Sequence, residues 1–228
     1  MPDFTYADIA KMIDHSLLQQ VLTDTDLEKG CRLARDYQVA SVCIKPYGVK
    51  MAKELLASSG VAVGTVIGFP HGGHLTRIKH VESEAAMDDG AVELDMVVNI
   101  GKVLTGDWKY VAADIAAVVE AAHARRALVK VIFENCFLKD EHKEQLCRIS
   151  GEVGADFVKT STGYGDSGAT DDDLKLMRRC SPPRVQVKAA GGVRTFDRVL
   201  SVRALGVTRI GATASPAILD ECKKRLQL

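Results

Sequence analysis

The chain has 228 residues, 46% of them hydrophobic, and its 30 basic and 30 acidic side chains give a formal net charge of zero. This length suits one domain of substantial size or two small ones. Zero net charge without a basic patch argues against nucleic acid or an anionic membrane as a partner, because such binders usually carry a basic excess.

Sequence signals for export or membrane insertion are not evident. No apolar run approaches the roughly 18 residues of a membrane span, and residues 1–16 lack the charged and then apolar layout of a signal peptide. The cysteines form no CxxC pair, which favours reduced thiols at Cys31, Cys43, Cys136, Cys147, Cys180 and Cys222. We therefore expect a cytoplasmic enzyme.

A unit of helix, glycine and short apolar strand recurs along the chain. It appears in ASSG-VAVGTVIGF, MDDG-AVELDMVVN, GEVG-ADFVKTST and RALG-VTRIGAT, where the glycine suits a left-handed helix C-cap. Apolar spacing predicts a helix over 108–124, and a capping box of Thr25 and Glu28 predicts one over 26–37. Strands are predicted around Ile13, Val42, Val66, Leu94, Val131, Val158, Val187 and Ile210.

Eight such units in 228 residues leave about 28 residues each, which is room for one strand, one helix and two short loops. The strands are nearly continuous apolar runs, as in a parallel sheet covered by helices. We therefore expect an α/β fold, a closed (β/α)8 TIM barrel that occupies 1–228 as a single domain. The alternative, an open doubly wound sheet, lacks its glycine fingerprint here.

Two lysines lie at the ends of predicted strands. Lys159 in DFVKTSTGYG follows apolar strand residues and precedes small hydroxyl residues and glycines, and Lys188 in VQVKAAGGVR has the same surroundings. A buried ammonium must be paired or give up its proton, so each lysine is either a structural ion or a nucleophilic amine. The repetition of the pattern favours a catalytic role.

Strand parity predicts which side chains meet inside the barrel, since residues two apart share a face. If these parities face the axis, Asp95, Lys130, Lys159 and Lys188 share one cavity with Cys43 at the C-terminal ends of the strands. Repulsion between ammonium groups and desolvation would lower the pKa of one lysine, as Schiff-base chemistry on a carbonyl requires. Asp95, with Lys130 beside it, would then move protons.

Glycine-rich loops follow strands six, seven and eight, over 163–165, 191–194 and 211–213. This fold usually binds phosphate near the last two of these loops, so we expect a phosphorylated substrate. The alternative is that the glycines only permit tight turns. Asp14 and Ser16, interpreted as the end of strand one, are a carboxylate and a hydroxyl suited to holding a substrate hydroxyl.

Two other polar motifs have simpler interpretations than metal sites. His71 and His74 in HGGH would suggest a metal-dependent aldolase, but no third histidine is predicted at a strand end, and catalytic zinc normally takes three protein ligands. Thr170 followed by three aspartates, 171–173, predicts the start of a helix rather than a cation site. We expect neither a metal nor an organic cofactor.

Eight motifs, in order along nearly the whole chain, resemble the deoxyribose-phosphate aldolases, class I aldolases of the DeoC type. They are IDHSLL, VCIKP, GFPHG, VELDMVVNIG, KVIFEN, DFVKTSTGYG, VKAAGGVRT and RIGAT. The resemblance implies reversible cleavage of 2-deoxy-D-ribose 5-phosphate to acetaldehyde and D-glyceraldehyde 3-phosphate, in deoxynucleoside catabolism. It also implies a metal-independent enzyme that is a homodimer.

The resemblance also implies a role for each matching residue. Lys159 would form the Schiff base, Asp95 would transfer protons through water, Lys188 would hold down the pKa of Lys159, and Lys130 would support the proton transfers. Independently of the resemblance, we expect Asp14, Ser16, Cys43 and Thr160 to contact substrate. The phosphate would bind at the loops that contain Gly163, Gly191, Gly192, Val193, Arg194, Gly211 and Thr213.

The sequence departs from the family's pattern at three places. Thr213 and Ala214 stand where serines are common, and Lys45 stands where a neutral residue is more usual, which adds a positive charge near the mouth of the site. Some relatives carry a C-terminal tail with a tyrosine, whereas the last tyrosine here is Tyr164. Two alternatives stay open: a related lyase for another phosphorylated aldehyde or ketose, and a catalytically silent barrel that binds a sugar phosphate.

Overall fold

The computed structural model describes residues 4–228, so that 1–3, the start of the predicted domain, lie outside the described residues. Eight parallel strands follow one another around a closed barrel, and β8 pairs back onto β1. The strands are β1 Ile13–Leu17, β2 Ser41–Ile44, β3 Ala62–Ile67, β4 Glu93–Val97, β5 Leu128–Ile132, β6 Phe157–Lys159, β7 Gln186–Ala190 and β8 Arg209–Ala212. The predicted TIM barrel and all eight strand positions are confirmed, and closure excludes the open sheet.

Helices surround the barrel and connect successive strands. Over residues 4–228 they are α1 Tyr6–Ala10, α2 Asp24–Asp36, α3 Val49–Leu55, α4 Thr76–Asp88, α5 Ile100–Thr105, α6 Trp108–Ala124, α7 Asp140–Glu152, α8 Asp171–Cys180, α9 Phe196–Ala204 and α10 Ser215–Leu226. The helix predicted over 108–124 is confirmed. None of the helices in this range is long and apolar enough to cross a membrane.

The predicted start of α2 was wrong by two residues. Thr23, and not Thr25, is the N-cap, since its hydroxyl accepts a hydrogen bond from the Asp26 backbone N–H at 3.3 Å. The Asp26 carboxylate in turn accepts from the Thr23 backbone N–H at 2.9 Å. Aspartate thus takes the place usually held by Glu or Gln in a capping box, and the motif chosen from the sequence lies inside the helix.

The two faces of the strands differ in the residues that they carry. Leu94, Val131, Val158 and Val187 are fully buried between the barrel and its helices. Burial of each such side chain contributes about 1.5–3 kcal/mol, so the layer between the strands and the helices stabilises the barrel. The opposite face, inside the barrel, contains buried charged groups, and it is this face that positions the candidate site.

Candidate functional site

The strand register brings charged residues of neighbouring strands to matching levels inside the barrel. Asp95 pairs with Lys130 across β4 and β5, Lys159 pairs with Lys188 across β6 and β7, and Lys188 pairs with Arg209 across β7 and β8. Asp95 and the three lysines are at most 3% exposed. The structure therefore brings together the four residues that strand parity assigned to one cavity.

Asp95 is the centre of this cluster. Its Oδ1 accepts a hydrogen bond from Lys130 Nζ at 2.8 Å, and its Oδ2 accepts from both Lys159 Nζ and Lys188 Nζ at 2.7 Å. Cys43 Sγ lies 4.0 Å from the same Oδ2. Because one carboxylate serves three ammonium groups, a proton on any one lysine affects the other two.

Asp14 is a second anion of the cluster, which the sequence placed at the end of strand one. That placement was wrong, since Asp14 is the second residue of β1 and is fully buried. Lys188 Nζ donates a hydrogen bond to its Oδ2, and its Oδ1 accepts from Ser41 Oγ at 2.7 Å and from Arg209 Nη1 at 2.5 Å. Asp14 is therefore held by three protein donors within the cluster.

The surroundings shift the pKa values of the three lysines in different directions. Burial lowers the pKa of Lys159 below its usual value, and Lys188 adds to this effect, whereas Asp95 opposes it. Burial also acts against the charge of Lys188, but Asp14 and Asp95 outweigh it and raise its pKa. Lys130, close to Asp14, Asp95 and Glu93, likewise has a pKa above its usual value despite burial. Lys159 is thus the amine of the three that most readily becomes neutral.

The carboxylates and the thiol respond to the same neighbours. Burial alone would raise the pKa of Asp95, but Lys130, Lys159 and Lys188 hold it well below its ordinary range. Burial raises the pKa of the Cys43 thiol to about 11, and Asp95 contributes to the rise. Asp95 therefore remains a carboxylate and Cys43 remains a thiol near neutral pH.

A cavity of 420 Å³ opens above the cluster at the C-terminal ends of the strands. Twelve of the predicted site residues line it: Asp14, Ser16, Cys43, Lys159, Gly163, Lys188, Gly191, Gly192, Val193, Arg194, Gly211 and Thr213. Asp95 and Lys130 lie beneath the lining and reach it through hydrogen bonds. Thr160 is not brought to the cavity, because its hydroxyl hydrogen bonds with the Ala190 backbone O and N–H and joins β6 to β7.

Residues 18–21, which follow β1, form one wall of the cavity, and the sequence did not predict that they belong to the site. Tyr164 Oη donates a hydrogen bond to the Leu18 carbonyl at 2.7 Å, and its ring packs edge-on against Phe69 with centroids 5.5 Å apart. Lys45 Nζ donates to the carbonyls of Gln20 and Leu22 at 3.1 and 2.9 Å. The unusual lysine thus holds this loop in place, and its charge is directed at carbonyl oxygens.

Glu134 supports the loop after β6 from below, and its role too was missed. It has a left-handed backbone, φ 57°, which is uncommon for a residue other than glycine. Its buried carboxylate accepts hydrogen bonds from the backbone N–H of Thr162 at 3.1 Å and from the Thr162 hydroxyl. Thr162 Oγ1 in turn accepts from the Tyr164 N–H at 3.0 Å, so Glu134 fixes the segment that carries Gly163 and Tyr164.

The glycine-rich part of the cavity lining has the features of an anion site. Gly163, Gly191 and Gly192 have left-handed backbone conformations with φ of 92°, 81° and 86°, which turns their peptide groups in ways other residues rarely adopt. Helix α10 begins at Ser215, two residues after Thr213, and a helix N-terminus attracts negative charge. A buried hydrogen bond of 2.8 Å between Ser215 Oγ and His15 Nδ1 fixes this end of α10 to β1.

The other polar motifs do not join the cavity. His71 and His74 are exposed, and residues 4–228 contain no group of three or more His, Cys, Asp and Glu side chains placed to hold a metal ion. Thr170 accepts a hydrogen bond from the Asp173 N–H at 3.1 Å and caps α8, which confirms that prediction. The cavity combines the buried amine of Lys159, the neighbouring carboxylate of Asp95 and a glycine-rich lining suited to an anion.

Comparison with known proteins agrees with this description. The family model for DeoC/LacD family aldolases matches residues 9–215. A Rhodopirellula baltica protein named deoxyribose-phosphate aldolase is 56% identical over 226 residues, which cover 99% of this chain and 94% of the relative. A Thermococcus gammatolerans protein of the same name is 47% identical over 215 residues, 93% of this chain and 96% of the relative.

Solved structures give the same result. The deoxyribose phosphate aldolase of Aeropyrum pernix, described as tetrameric, superposes on this chain with a TM-score of 0.89 at 30% identity. The match covers 97% of this chain and 93% of the Aeropyrum pernix chain. An aldolase named QR15 superposes with a TM-score of 0.91 at 33% identity, with 96% and 98% covered. This chain is therefore an aldolase that belongs to the DeoC/LacD family.

Proposed function

We propose that the protein is a class I aldolase that reversibly cleaves 2-deoxy-D-ribose 5-phosphate to acetaldehyde and D-glyceraldehyde 3-phosphate, with Lys159 as the Schiff-base nucleophile. The observation that carries this proposal is the position of Lys159. Its amine lines the cavity, is buried, has a pKa held below the ordinary value, and lies 2.7 Å from Asp95. The relatives named deoxyribose-phosphate aldolase support the choice of substrate.

The first step would be addition of the neutral Lys159 amine to the C1 aldehyde of the open-chain sugar. Loss of water from the carbinolamine gives an iminium ion, which withdraws electrons from the neighbouring bonds. Asp95 accepts and returns protons during this step, since its Oδ2 lies within hydrogen-bond distance of Lys159 Nζ. Lys188 stays protonated and disfavours protonation of the free Lys159 amine, which keeps that amine available for the addition.

Cleavage would follow at the bond between C2 and C3 of the bound sugar. As the C3 hydroxyl loses its proton, the electron pair of that bond moves to the iminium and forms an enamine, and C3 becomes the aldehyde of glyceraldehyde 3-phosphate. The enamine takes a proton at C2, water adds to the resulting iminium, and acetaldehyde leaves as Lys159 is regenerated. Every atom and electron in this sequence comes from the sugar, water and the protein's proton donors.

The phosphate of the sugar would bind at the end of the cavity away from Lys159. The left-handed glycines 163, 191 and 192 and Arg194 line the cavity, and α10 begins two residues after Thr213, which lines it as well. Thr213 and Ala214 stand in place of the serines common in the family, so backbone N–H groups supply more of the contact. Ser16 remains the hydroxyl best placed on β1 to meet the sugar.

Borohydride reduction in the presence of deoxyribose 5-phosphate, followed by peptide mass mapping, tests this function. We expect an adduct on Lys159 that is absent in Lys159→Ala and unchanged in Lys175→Met, which alters an exposed lysine. A panel of sugar phosphates with acetaldehyde release as the readout separates this substrate from another phosphorylated aldehyde or ketose. Absence of any adduct and of turnover would favour the catalytically silent barrel.

Three further properties are part of the proposal. We expect activity to survive dialysis against EDTA, since Schiff-base chemistry needs no metal.

We expect a homodimer with about twice the 24.6 kDa chain mass in light scattering. All six cysteines are free thiols, in keeping with a cytoplasmic enzyme of deoxynucleoside catabolism, and fractionation of cells would test this location.

A further inference from the structure

A second layer of charge lies below the residues that line the cavity. Arg209 Nη1 donates hydrogen bonds to Asp14 Oδ1 at 2.5 Å and to Glu93 Oε2 at 3.1 Å, and its guanidinium lies over the Phe157 ring at 5.4 Å. Glu93 Oε2 also accepts from Lys130 Nζ at 2.6 Å. Neither Arg209 nor Glu93 lines the cavity, so neither would touch the substrate.

The two layers form one connected network of ion pairs that carries one more positive than negative charge. Its four cationic side chains face three carboxylates: Lys130, Lys159, Lys188 and Arg209 against Asp14, Glu93 and Asp95. An uncompensated charge in a buried interior is unfavourable by several kcal/mol, so one of the three lysine amines holds its proton weakly. If one amine becomes neutral, the remaining three cations balance the three anions.

The connections identify the amine that gives up the proton. Lys188 pairs with Asp14 and Asp95, and Arg209 pairs with Asp14 and Glu93. Lys130 has carboxylate oxygens of three side chains within 3.5 Å. Within residues 4–228, Lys159 pairs with Asp95 alone, and it shares that carboxylate with two other lysines.

We propose that Arg209 and Glu93 are positioning residues that fix the charge balance of the barrel interior and thereby determine which lysine is free to act as the nucleophile. This inference rests on the proposed Schiff-base function of Lys159 and assigns to two residues outside the cavity the control of its protonation. Arg209 supplies the fourth cation, so that the network has one more positive than negative charge when all three lysines are protonated. Glu93 compensates part of that charge and keeps Lys130 protonated.

Charged and titratable groups approach Lys159 from most of the barrel. Asp95 of β4, Lys188 of β7 and Cys43 of β2 act on Lys159 directly. The remaining charged groups act on it through Asp95 and its ion pairs: Asp14 of β1, Glu93 of β4, Lys130 of β5 and Arg209 of β8. On β3 the register places Gly64 beside Glu93 and Val66 beside Asp95, so that strand contributes no charge at these levels. A change in any one of these charges therefore acts on Lys159 with a predictable sign.

Two substitutions shift the balance in opposite directions. Arg209→Met removes a cation, so Lys159 keeps its proton to higher pH, and the acid limb of the pH profile of kcat/KM moves upward. Glu93→Gln removes an anion, so the same limb moves downward. For unit charges separated by the width of the barrel interior, an effective dielectric near 20 gives a shift of about one pH unit in each case.

The double variant tests whether the shifts come from charge. Arg209→Met with Glu93→Gln removes one charge of each sign, so the acid limb returns to within a few tenths of a pH unit of the original protein. Arg209→Lys keeps the cation and leaves the limb in place. Arg125→Met, which breaks the exposed pair with Asp88, is the matched control for loss of an arginine ion pair. Loss of packing alone would lower activity without moving the limb in opposite directions.

The experiment uses the full chain with deoxyribose 5-phosphate and distinguishes two kinds of failure. If borohydride produces no Lys159 adduct in the original protein, the proposed function fails. If that adduct forms but the acid limbs of Arg209→Met and Glu93→Gln coincide, or move in the same direction, the function stands and the role of Arg209 and Glu93 is overturned. Opposite shifts with recovery in the double variant support it.

Discussion

Lys159 and Lys188 donate hydrogen bonds to the same oxygen, Asp95 Oδ2, each over 2.7 Å. Their Nζ atoms can therefore be no farther apart than twice that distance, and two full positive charges there repel strongly. The two lysines differ in one respect: Lys188 also donates to Asp14, whereas within residues 4–228 Lys159 forms an ion pair with Asp95 alone. This asymmetry makes Lys188 the lasting cation and Lys159 the amine that becomes neutral.

Replacement of Lys188 by methionine should move catalysis to higher pH. A neighbouring cation disfavours the protonated form of Lys159, so its removal raises the pKa of Lys159, by up to about two units at an effective dielectric near 20. The neutral amine is then scarce at pH 7, and kcat/KM should fall roughly 100-fold there and recover in part at alkaline pH. The pH profile checks this, with Lys175→Met as the control; an acid limb at the original position would contradict it.

Glu134→Gln should weaken the hold on the substrate phosphate. The Glu134 carboxylate accepts hydrogen bonds from the Thr162 backbone N–H and hydroxyl, and thereby fixes the segment with Gly163. Charge-assisted hydrogen bonds contribute about 1.5–3 kcal/mol, so we expect KM to rise roughly tenfold or more. The measurement compares deoxyribose 5-phosphate with unphosphorylated deoxyribose. An equal loss with both sugars would show that Glu134 supports the fold in general and not the phosphate loop.

Tyr164→Phe should loosen the wall of the cavity formed by residues 18–21. The lost hydrogen bond from Tyr164 Oη to the Leu18 carbonyl is partly exposed, so water can replace it and the net effect is about 0.5–1.5 kcal/mol. We expect KM to rise by up to roughly tenfold with little change in kcat. Tyr110→Phe, on α6, is the control. A fall in kcat at unchanged KM would mean that the phenol takes part in the chemistry.

His15 should make the fold sensitive to mild acid. Burial lowers the pKa of His15 to about 4, so the folded protein binds its proton less readily than the unfolded chain, whose histidines titrate near 6.5. Stability from this residue is therefore complete above about pH 6.5 and falls as the pH drops towards 4, by about 3 kcal/mol in total.

Urea unfolding at several pH values checks the prediction for His15. The free energy of unfolding of His15→Gln should depend less on pH between 4 and 6.5 than that of the original protein, whereas His80→Gln, at a more exposed histidine, should behave like the original. Identical pH dependence in all three proteins would show that burial of His15 has no thermodynamic consequence.

The fold and the upper layer of the site follow from local sequence patterns. Strand parity was enough to bring Asp95, Lys130, Lys159 and Lys188 together, because the side-chain period of two is preserved in a closed barrel. The same rule applied to β8 puts Arg209 on the face of Gly211, so its charge could have been found by extending the parity argument to the base of the strands.

Other features could not be predicted because they depend on contacts between distant segments. The bond from Tyr164 to Leu18 joins residues 146 positions apart, and that from His15 to Ser215 joins residues 200 apart. The left-handed backbone of Glu134 has no sequence signal, since this conformation is uncommon for a residue other than glycine. Asp14 was misplaced because a strand boundary is poorly defined where polar and apolar residues mix.

Titration of the lysine side chains by NMR tests the central claim most directly. In protein labelled with 13C-lysine, the Cε signals of Lys130, Lys159 and Lys188 can be assigned by single substitutions and followed as the pH is raised. We expect the signal lost in Lys159→Met to titrate clearly below the ordinary lysine pKa of about 10.4, and those of Lys130 and Lys188 above it. A Lys159 signal that titrates at or above the ordinary value would contradict its role as a neutral nucleophile.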